Sequence, residues 1–213
     1  MSKIKQGILG GFSGKVGTVI GGTWKGISYM RGIAASVSNP RTPAQMAQRA
    51  KFAAVIKFLQ PLTPFLRVGF KNDAVRMSGF NSAMSYTVKN AITGIYPAFT
   101  IDYSKVLVSR GTLPGALNPL AVAGIAGAVD FTWENNTWET DAMADDQALL
   151  VVYNPSKNAA VSFTGAVTRA IGVQTITLPN SYTGDEVQCY IAFTNANQSV
   201  ISNSEYVGGV IVS

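Results

Sequence analysis

The first 32 residues alternate apolar side chains with glycines rather than with charged residues. Nine glycines lie in this stretch, and the pair Gly21-Gly22 separates two short apolar runs. Paired glycines between apolar runs favour a β-hairpin. Because glycine inside a strand weakens an isolated sheet, we expect this segment to become ordered where another backbone packs closely on it. The residues that we predict to make such contacts in an assembly are Phe12, Gly14, Gly17, Gly21, Gly22, Trp24 and Tyr29.

Helical periodicity follows the glycine-rich segment. A helix is predicted from Pro43 to Leu59, because apolar residues recur there every three to four positions. Thr63 and the proline after it start a second helix, which we expect to run to about Met77. A third helix fits residues 81–92, with its apolar side chains on one face.

Alternating and continuous apolar runs fill the rest of the chain. Residues 98–110 alternate, which predicts a strand. About seven short strands over roughly 100 residues are typical of an immunoglobulin-like or fibronectin-type sandwich. The runs that predict them, separated by Asn, Pro and Gly turns, include Ala128–Trp133, Ala148–Tyr153, Ala159–Phe163, Gln174–Leu178, Val187–Thr194 and Val207–Val212.

These patterns predict an α+β protein with two domains. A glycine-rich β-hairpin plus a helical N-terminal module is followed by an all-β immunoglobulin/fibronectin-like sandwich. We place the boundary at the turn formed by Gly111–Gly115. Residues 1–110 are then a basic, glycine-rich and helical module, and residues 111–213 are an acidic sandwich.

Charge is divided at the same boundary. Residues 1–110 hold 15 Lys and Arg and two Asp, whereas residues 111–213 hold two basic and nine acidic residues. Either the basic half binds a polyanion such as nucleic acid, or the basic half of one copy meets the acidic half of another. A third interpretation is that water solvates both halves separately. Charged residues are only 13% of the chain, about half the usual share, so the surface is built from Ser, Thr, Asn, Gln and Gly or is partly covered by partner subunits.

Chemistry-bearing residues are scarce. The chain has no histidine and one cysteine, Cys189, which lies in an apolar strand and is expected to be a buried, inert thiol. Gly14-Lys15 lacks the upstream glycine and the following Ser or Thr of a phosphate-binding loop. The carboxylates of Glu139, Asp141, Asp145 and Asp146 match no calcium loop and are expected to be solvated. We therefore predict no catalytic, cofactor or metal site, and hence no enzyme.

Basic and aromatic residues are interleaved near the N-terminus. That composition is typical of a platform on which single-stranded nucleic acid stacks, although aromatic residues more often belong to a core. The candidate contacts to a polyanion or another partner are Lys15, Lys25, Arg31, Arg41, Arg49 and Lys51.

Targeting signals are not evident in the sequence. It has no apolar run of about 18 residues and no signal-peptide pattern at its start. We therefore expect cytoplasmic synthesis without export through the general secretory route, and no membrane partner.

Several segments resemble a family known only by number. They are residues 5–17, Trp24-Lys-Gly, Tyr29-Met-Arg and Asn39-Pro-Arg-Thr-Pro-Ala-Gln45, with further likeness along nearly the whole chain. Together they resemble the Bacteroidota domain-of-unknown-function family 6266. The Asn-Pro-Arg-Thr segment is also similar to segments of some phage structural proteins. The family resemblance implies no activity and no catalytic residue.

Function is expected to be structural. The leading hypothesis is a non-catalytic assembly protein, a homo-oligomer or larger polymer such as a component of a phage-like particle or virion. The glycine-rich segment would supply the contacts between subunits. The alternative is a nucleic-acid-binding protein that uses the basic half, and a third hypothesis, adhesion through the loops of the sandwich, rests on fold analogy alone.

Overall fold

The computed structural model of the chain describes residues 3–4, 11–24, 26–36, 39–74, 77–125 and 127–213. Its backbone contacts divide the chain into two compact units, Met1–Thr42 and Pro43–Ser213. In the part of the chain that is described, none of the helices has the length and apolarity needed to span a bilayer.

The first unit is an antiparallel sheet. Its strands are paired in chain order: β1 (Lys3–Ile4), β2 (Phe12–Val16), β3 (Val19–Trp24) and β4 (Ile27–Gly32). The predicted hairpin therefore exists, but its turn does not lie at Gly21-Gly22, which are in the middle of β3. The chain reverses after β2 at Gly17, whose φ of 56° is one that glycine adopts without steric cost.

The three predicted helices are present. They are α1 (Pro43–Leu59), α2 (Thr63–Gly69) and α3 (Gly79–Asn90). Helix α2 stops well short of the predicted Met77, because the carbonyl oxygen of its last residue, Gly69, accepts a hydrogen bond from the amide of Arg110 at 2.9 Å rather than from a further helical turn. Gly69 also packs closely on that segment, since a Cβ at this position would lie 2.4 Å from the carbonyl oxygen of Val108. Helix α3 begins where the hydroxyl of Ser78 accepts a hydrogen bond from the amide of Asn81 at 3.2 Å.

A small hairpin follows the helices, formed by β5 (Ile92–Ile95) and β6 (Ala98–Ile101). The strand predicted over residues 98–110 is thus shorter than its alternating pattern. The carboxylate of Asp102 accepts hydrogen bonds from the amide and hydroxyl of Ser104, at 3.2 and 2.6 Å, and so starts a helical turn that ends the strand.

Seven strands then form a β-sandwich, as predicted. The sequence does not predict strand β7, because Pro119 interrupts its alternation of apolar and polar residues. The register with β8 shifts between Leu117 and Leu120, at a bulge where Asn118 has a positive φ of 46°. One sheet has the order β10-β9-β12-β13 and the other has the order β11-β8-β7. The strands are β7 (Leu117–Ala123), β8 (Ala128–Glu134), β9 (Gln147–Asn154), β10 (Ala159–Thr168), β11 (Val173–Thr177), β12 (Glu186–Thr194) and β13 (Glu205–Ile211).

The four-stranded sheet is buried on both faces. In β9, Leu150 and Val152 point into the interior of the sandwich, whereas Leu149 and Val151 pack against the helices. This arrangement explains why β9 is a continuous apolar run rather than an alternating one. The second unit therefore has three layers: helices, the four-stranded sheet and the three-stranded sheet.

The helices therefore belong with the sandwich and not with the glycine-rich strands. The predicted boundary after residue 110 falls inside this unit, and the contacts divide the chain after Thr42 instead. Around that predicted boundary, the Ser204 hydroxyl accepts a hydrogen bond from the amide of Val108 at 2.8 Å, and Leu113 forms a parallel bridge with Ser202. A helical N-terminal module separate from the sandwich is not observed.

Candidate assembly surface

One face of the N-terminal sheet combines apolar and basic side chains. Paired residues on neighbouring strands share a face, and the face alternates from row to row. The register of β2, β3 and β4 places three rows on the same side. We call these residues the N-terminal sheet face: Lys15, Ile20 and Arg31 in one row, Tyr29 opposite Gly22 in the next, and Trp24 and Ile27 in the third.

The apolar members of this face are largely exposed. Trp24 is 64% exposed, Ile27 67% and Tyr29 47%, and Met30 on the opposite side is 70% exposed. Burial of apolar surface stabilises a protein by about 25 cal/mol for each Å² removed from water. Because these side chains are largely in contact with water, most of that stabilisation is not obtained within the sheet. Clusters of exposed apolar residues on a soluble protein commonly mark an interaction site.

The charge of this unit has a single sign. Residues 1–42 contain six Lys and Arg and no Asp or Glu, and the first acidic residue of the chain is Asp73. Lys15 on β2 and Arg31 on β4 lie on either side of Ile20 on β3, and both are exposed. Both positive charges therefore attract an acidic partner of the face and repel a basic one.

Two of the predicted assembly glycines permit close approach within the chain. A Cβ on Gly21 would lie 2.2 Å from the carbonyl oxygen of Phe12, and a Cβ on Gly22 would lie 3.1 Å from the ring of Tyr29. Gly14 and Gly17 have positive φ, 113° and 56°. These glycines shape the sheet itself, and a role for them in contacts between copies stays a prediction.

We expect Gly21→Ala to open the N-terminal sheet, because its methyl group would collide with backbone that cannot move aside without separating β2 from β3. Amide hydrogen exchange in β3 should accelerate by at least about tenfold, which corresponds to about 1.4 kcal/mol. Gly32→Ala is the control, since Gly32 has open space around it and no positive φ. Equal exchange rates in the two variants would contradict this account.

The six predicted polyanion contacts are distributed over both units of the chain. Lys15 and Arg31 share a row of the sheet, whereas Arg49 and Lys51 are on α1 in the other unit. The ammonium group of Lys51 lies 5.2 Å from the centroid of the Phe99 ring, so it already has a cation–π partner. Arg41 lies between β4 and α1, and Lys25 is outside the described residues.

Residues 11–208 match the family of unknown function DUF6266. The chain belongs to this family. This match confirms, over most of the chain, the family membership that the sequence resemblance predicted. No curated protein matches the chain.

Two solved structures are similar to parts of this member of the family. The fibronectin type III domain of the human collagen alpha-1(XX) chain covers 47% of the chain and 86% of its own length, with 12% identity and a TM-score of 0.34. The twitchin kinase region from C. elegans covers 48% of the chain, with 14% identity and a TM-score of 0.35. The match spans only 17% of that second structure. The β-sandwich of this chain is established by the strand order of its two sheets and not by these two similarities.

A buried polar cluster centred on Arg169 is not predicted by the sequence. This side chain is fully buried, and its Nε donates to Oδ2 of Asp146 at 3.1 Å. Nη1 donates to Oδ1 of Asn136 at 2.6 Å and to the carbonyl oxygen of Gly115 at 2.7 Å, and Nη2 donates to that of Pro114 at 2.9 Å. The cluster ties the loop between β8 and β9 to the segment that precedes β7.

The acidic loop is thus only partly solvated. Glu139, Asp141 and Asp145 are exposed, as predicted, whereas Asp146 is 1% exposed and paired with Arg169. Burial lowers the pKa of the Arg169 guanidinium, and the charge of Asp146 opposes this shift. The available signal was that Arg169 is one of only two basic residues in the acidic half, but nothing in the pattern showed that it meets Asp146.

Other reactive groups have ordinary structural surroundings. Cys189 is buried as predicted, and burial raises the pKa of its thiol to about 12, so the nucleophilic thiolate is scarce at neutral pH. Within the described ranges, no three side chains of His, Cys, Asp or Glu converge in a way that would hold a metal ion. Tyr190 donates its hydroxyl to the carbonyl oxygen of Tyr103 at 3.0 Å, which anchors the helical turn after β6 to the sandwich.

Proposed function

We propose that this protein is a non-catalytic structural protein that assembles with further copies of itself through the N-terminal sheet face. The observation that carries the proposal is the set of exposed aromatic and aliphatic side chains beside Lys15 and Arg31, in a unit without acidic residues. The rest of the chain holds all 11 acidic residues, and nine of them follow residue 110. A second copy of the chain therefore offers a surface of the opposite charge.

The size of the face sets the strength of a single contact. Complete burial of Trp24, Ile27 and Tyr29 would contribute about 1.5–3 kcal/mol each, against an association cost of about 4–15 kcal/mol. A single pair of copies is then weakly bound. Repetition of the contact in a polymer or particle adds binding energy per copy, which is why we place the protein in a phage-like particle or a comparable polymer.

The sandwich suits the role of a spacer or outer domain. Its three-plus-four strand arrangement is that of immunoglobulin and fibronectin type III sandwiches. We assign it to the outer surface of the assembly or to the contact with the next copy. This assignment follows from architecture and is tested together with the assembly itself.

Replacing Trp24 and Tyr29 together with serine is expected to abolish assembly, because the two aromatic side chains provide most of the apolar area of the face. Size-exclusion chromatography with light scattering, at low and high salt, measures the effect as a fall from large species to monomer. Trp138→Ser is the matched control, since Trp138 is 71% exposed but lies in a loop of the sandwich. A wild-type protein that stays monomeric at every concentration and salt would refute the proposal.

A nucleic-acid-binding function is the second candidate. It is favoured by the basic residues Lys15 and Arg31 beside the aromatic Trp24 and Tyr29, which is the composition of a stacking platform. Affinity for single-stranded nucleic acid should then fall steeply with salt, because neutralised phosphates release counterions. Undiminished binding after alanine replacement of the six predicted basic residues would exclude it.

A further inference from the structure

The outer side of the three-stranded sheet of the sandwich is a second exposed face. The register of β7, β8 and β11 places Leu120, Thr132 and Val173 in one row and Val122, Asp130 and Thr175 in the next. Leu120 is 54% exposed, Val122 43% and Val173 48%. We call these six residues together with Glu134 the outer sandwich face.

Only negative charge occurs on this face. Strands β7, β8 and β11 contain no Lys or Arg, while Asp130 and Glu134 are four residues apart on the same side of β8. The Asp130 carboxylate accepts a hydrogen bond from the hydroxyl of Thr175, and Glu134 accepts one from the side chain of Asn118 at 3.1 Å. Both carboxylates are therefore held in place among exposed apolar side chains.

We infer that the outer sandwich face is the docking site for the N-terminal sheet face of a second copy; this inference rests on the proposed assembly function. Both surfaces are antiparallel sheet faces, which can stack about 10 Å apart. Each presents exposed apolar rows, and each carries two charged residues of one sign: Lys15 and Arg31 on one, Asp130 and Glu134 on the other.

The two faces differ from each other and lie on different units of the chain. A contact between them is therefore head-to-tail rather than self-complementary. Each copy uses one face to bind and leaves the other free for the next copy. The product is a ring if the rotation closes and an open filament if it does not.

Charge reversal on each face tests the inference. One variant carries Lys15→Glu and Arg31→Glu, and a second carries Asp130→Lys and Glu134→Lys. Each alone places like charges opposite one another, so the concentration needed for half-assembly should rise by at least about tenfold. Mixing the two variants in equal amounts should restore assembly, because each reversed face then meets its complement on the other variant.

The outcomes separate the inference from the function on which it rests. If the sandwich variant assembles like wild type while the N-terminal variant does not, assembly uses the N-terminal sheet face but a different acceptor, and the inference fails. If the N-terminal variant also assembles like wild type, the proposed function fails. Failure of the mixture to recover assembly would likewise overturn the inference.

Matched controls keep the same change in charge away from both faces. Arg67→Glu with Lys71→Glu reverses two exposed bases at α2 and just after it, and Asp145→Lys with Glu186→Lys reverses two exposed acids elsewhere on the second unit. Both control variants are expected to assemble within about twofold of wild type, because exposed charges outside a contact contribute little to its free energy. Equal loss in controls and test variants would show that only net charge matters and would overturn the inference.

Discussion

Arg169→Met is expected to lower the free energy of unfolding of the second unit by about 3–5 kcal/mol, because it leaves the carboxylate of Asp146 buried without its cation. The guanidinium also donates to two backbone carbonyls and to Asn136, and these acceptors lose their partners in the variant. Its planar group lies 4.0 Å from the centroid of the Phe193 ring, so packing is lost as well. Denaturant titration of purified protein measures the change.

Two further variants identify the cause of that loss. Lys157→Met removes the partner of Asp185 at a far more exposed ion pair and is expected to change stability little. Adding Asp146→Asn to Arg169→Met removes the uncompensated charge and should recover part of the lost stability. If Arg169→Met were as stable as Lys157→Met, the buried cluster would have no structural importance.

Phe58→Ala is expected to cost about 3–5 kcal/mol and to destabilise helices and sandwich together. Phe58 is 3% exposed, and its ring meets that of Tyr153 edge-on, with centroids 4.9 Å apart. The centroid of its ring is also 5.8 Å from that of the Tyr103 ring. Because this aromatic group joins α1 to β9, far-ultraviolet circular dichroism and tyrosine fluorescence should report the same lowered unfolding midpoint.

Fragments of the chain provide the complementary measurement. Residues 43–213 are expected to unfold in one cooperative transition, whereas residues 111–213 alone would expose the Leu149 and Val151 side of the four-stranded sheet. The shorter fragment should therefore bind hydrophobic dyes and aggregate. A stable, monomeric sandwich from residues 111–213 would show that the helices are dispensable.

The sequence predicts most of the secondary structure because local signals are strong there. Helix α1 has the predicted bounds, Pro43–Leu59, since proline at its start and apolar periodicity agree with each other. The exposed positions of Trp24 and Tyr29 could be suspected from their glycine-rich neighbours. Which of their neighbours share a face depends on the strand register, and the predicted turn at Gly21-Gly22 would have given a different one.

Long-range partners are what local patterns cannot supply. A buried Arg169 looks like any surface arginine in sequence, and its partner Asp146 looks like part of a solvated acidic loop. The domain boundary was misplaced for the same reason. Periodicity shows that α1 has an apolar face, but it does not show that the face covers β9 rather than the glycine-rich strands.

The packing of early helices on late strands governs when this chain can fold during its synthesis. Phe58 rests on Tyr153, which is 95 positions later, and the same core includes Ile201. At about 5–20 residues per second, the ribosome completes α1 several seconds before β9 and β12 exist. The nascent chain carries uncovered apolar helices throughout that interval, and its high contact order makes later folding slow. Chaperones that hold nascent helices are therefore expected to raise the yield of folded protein.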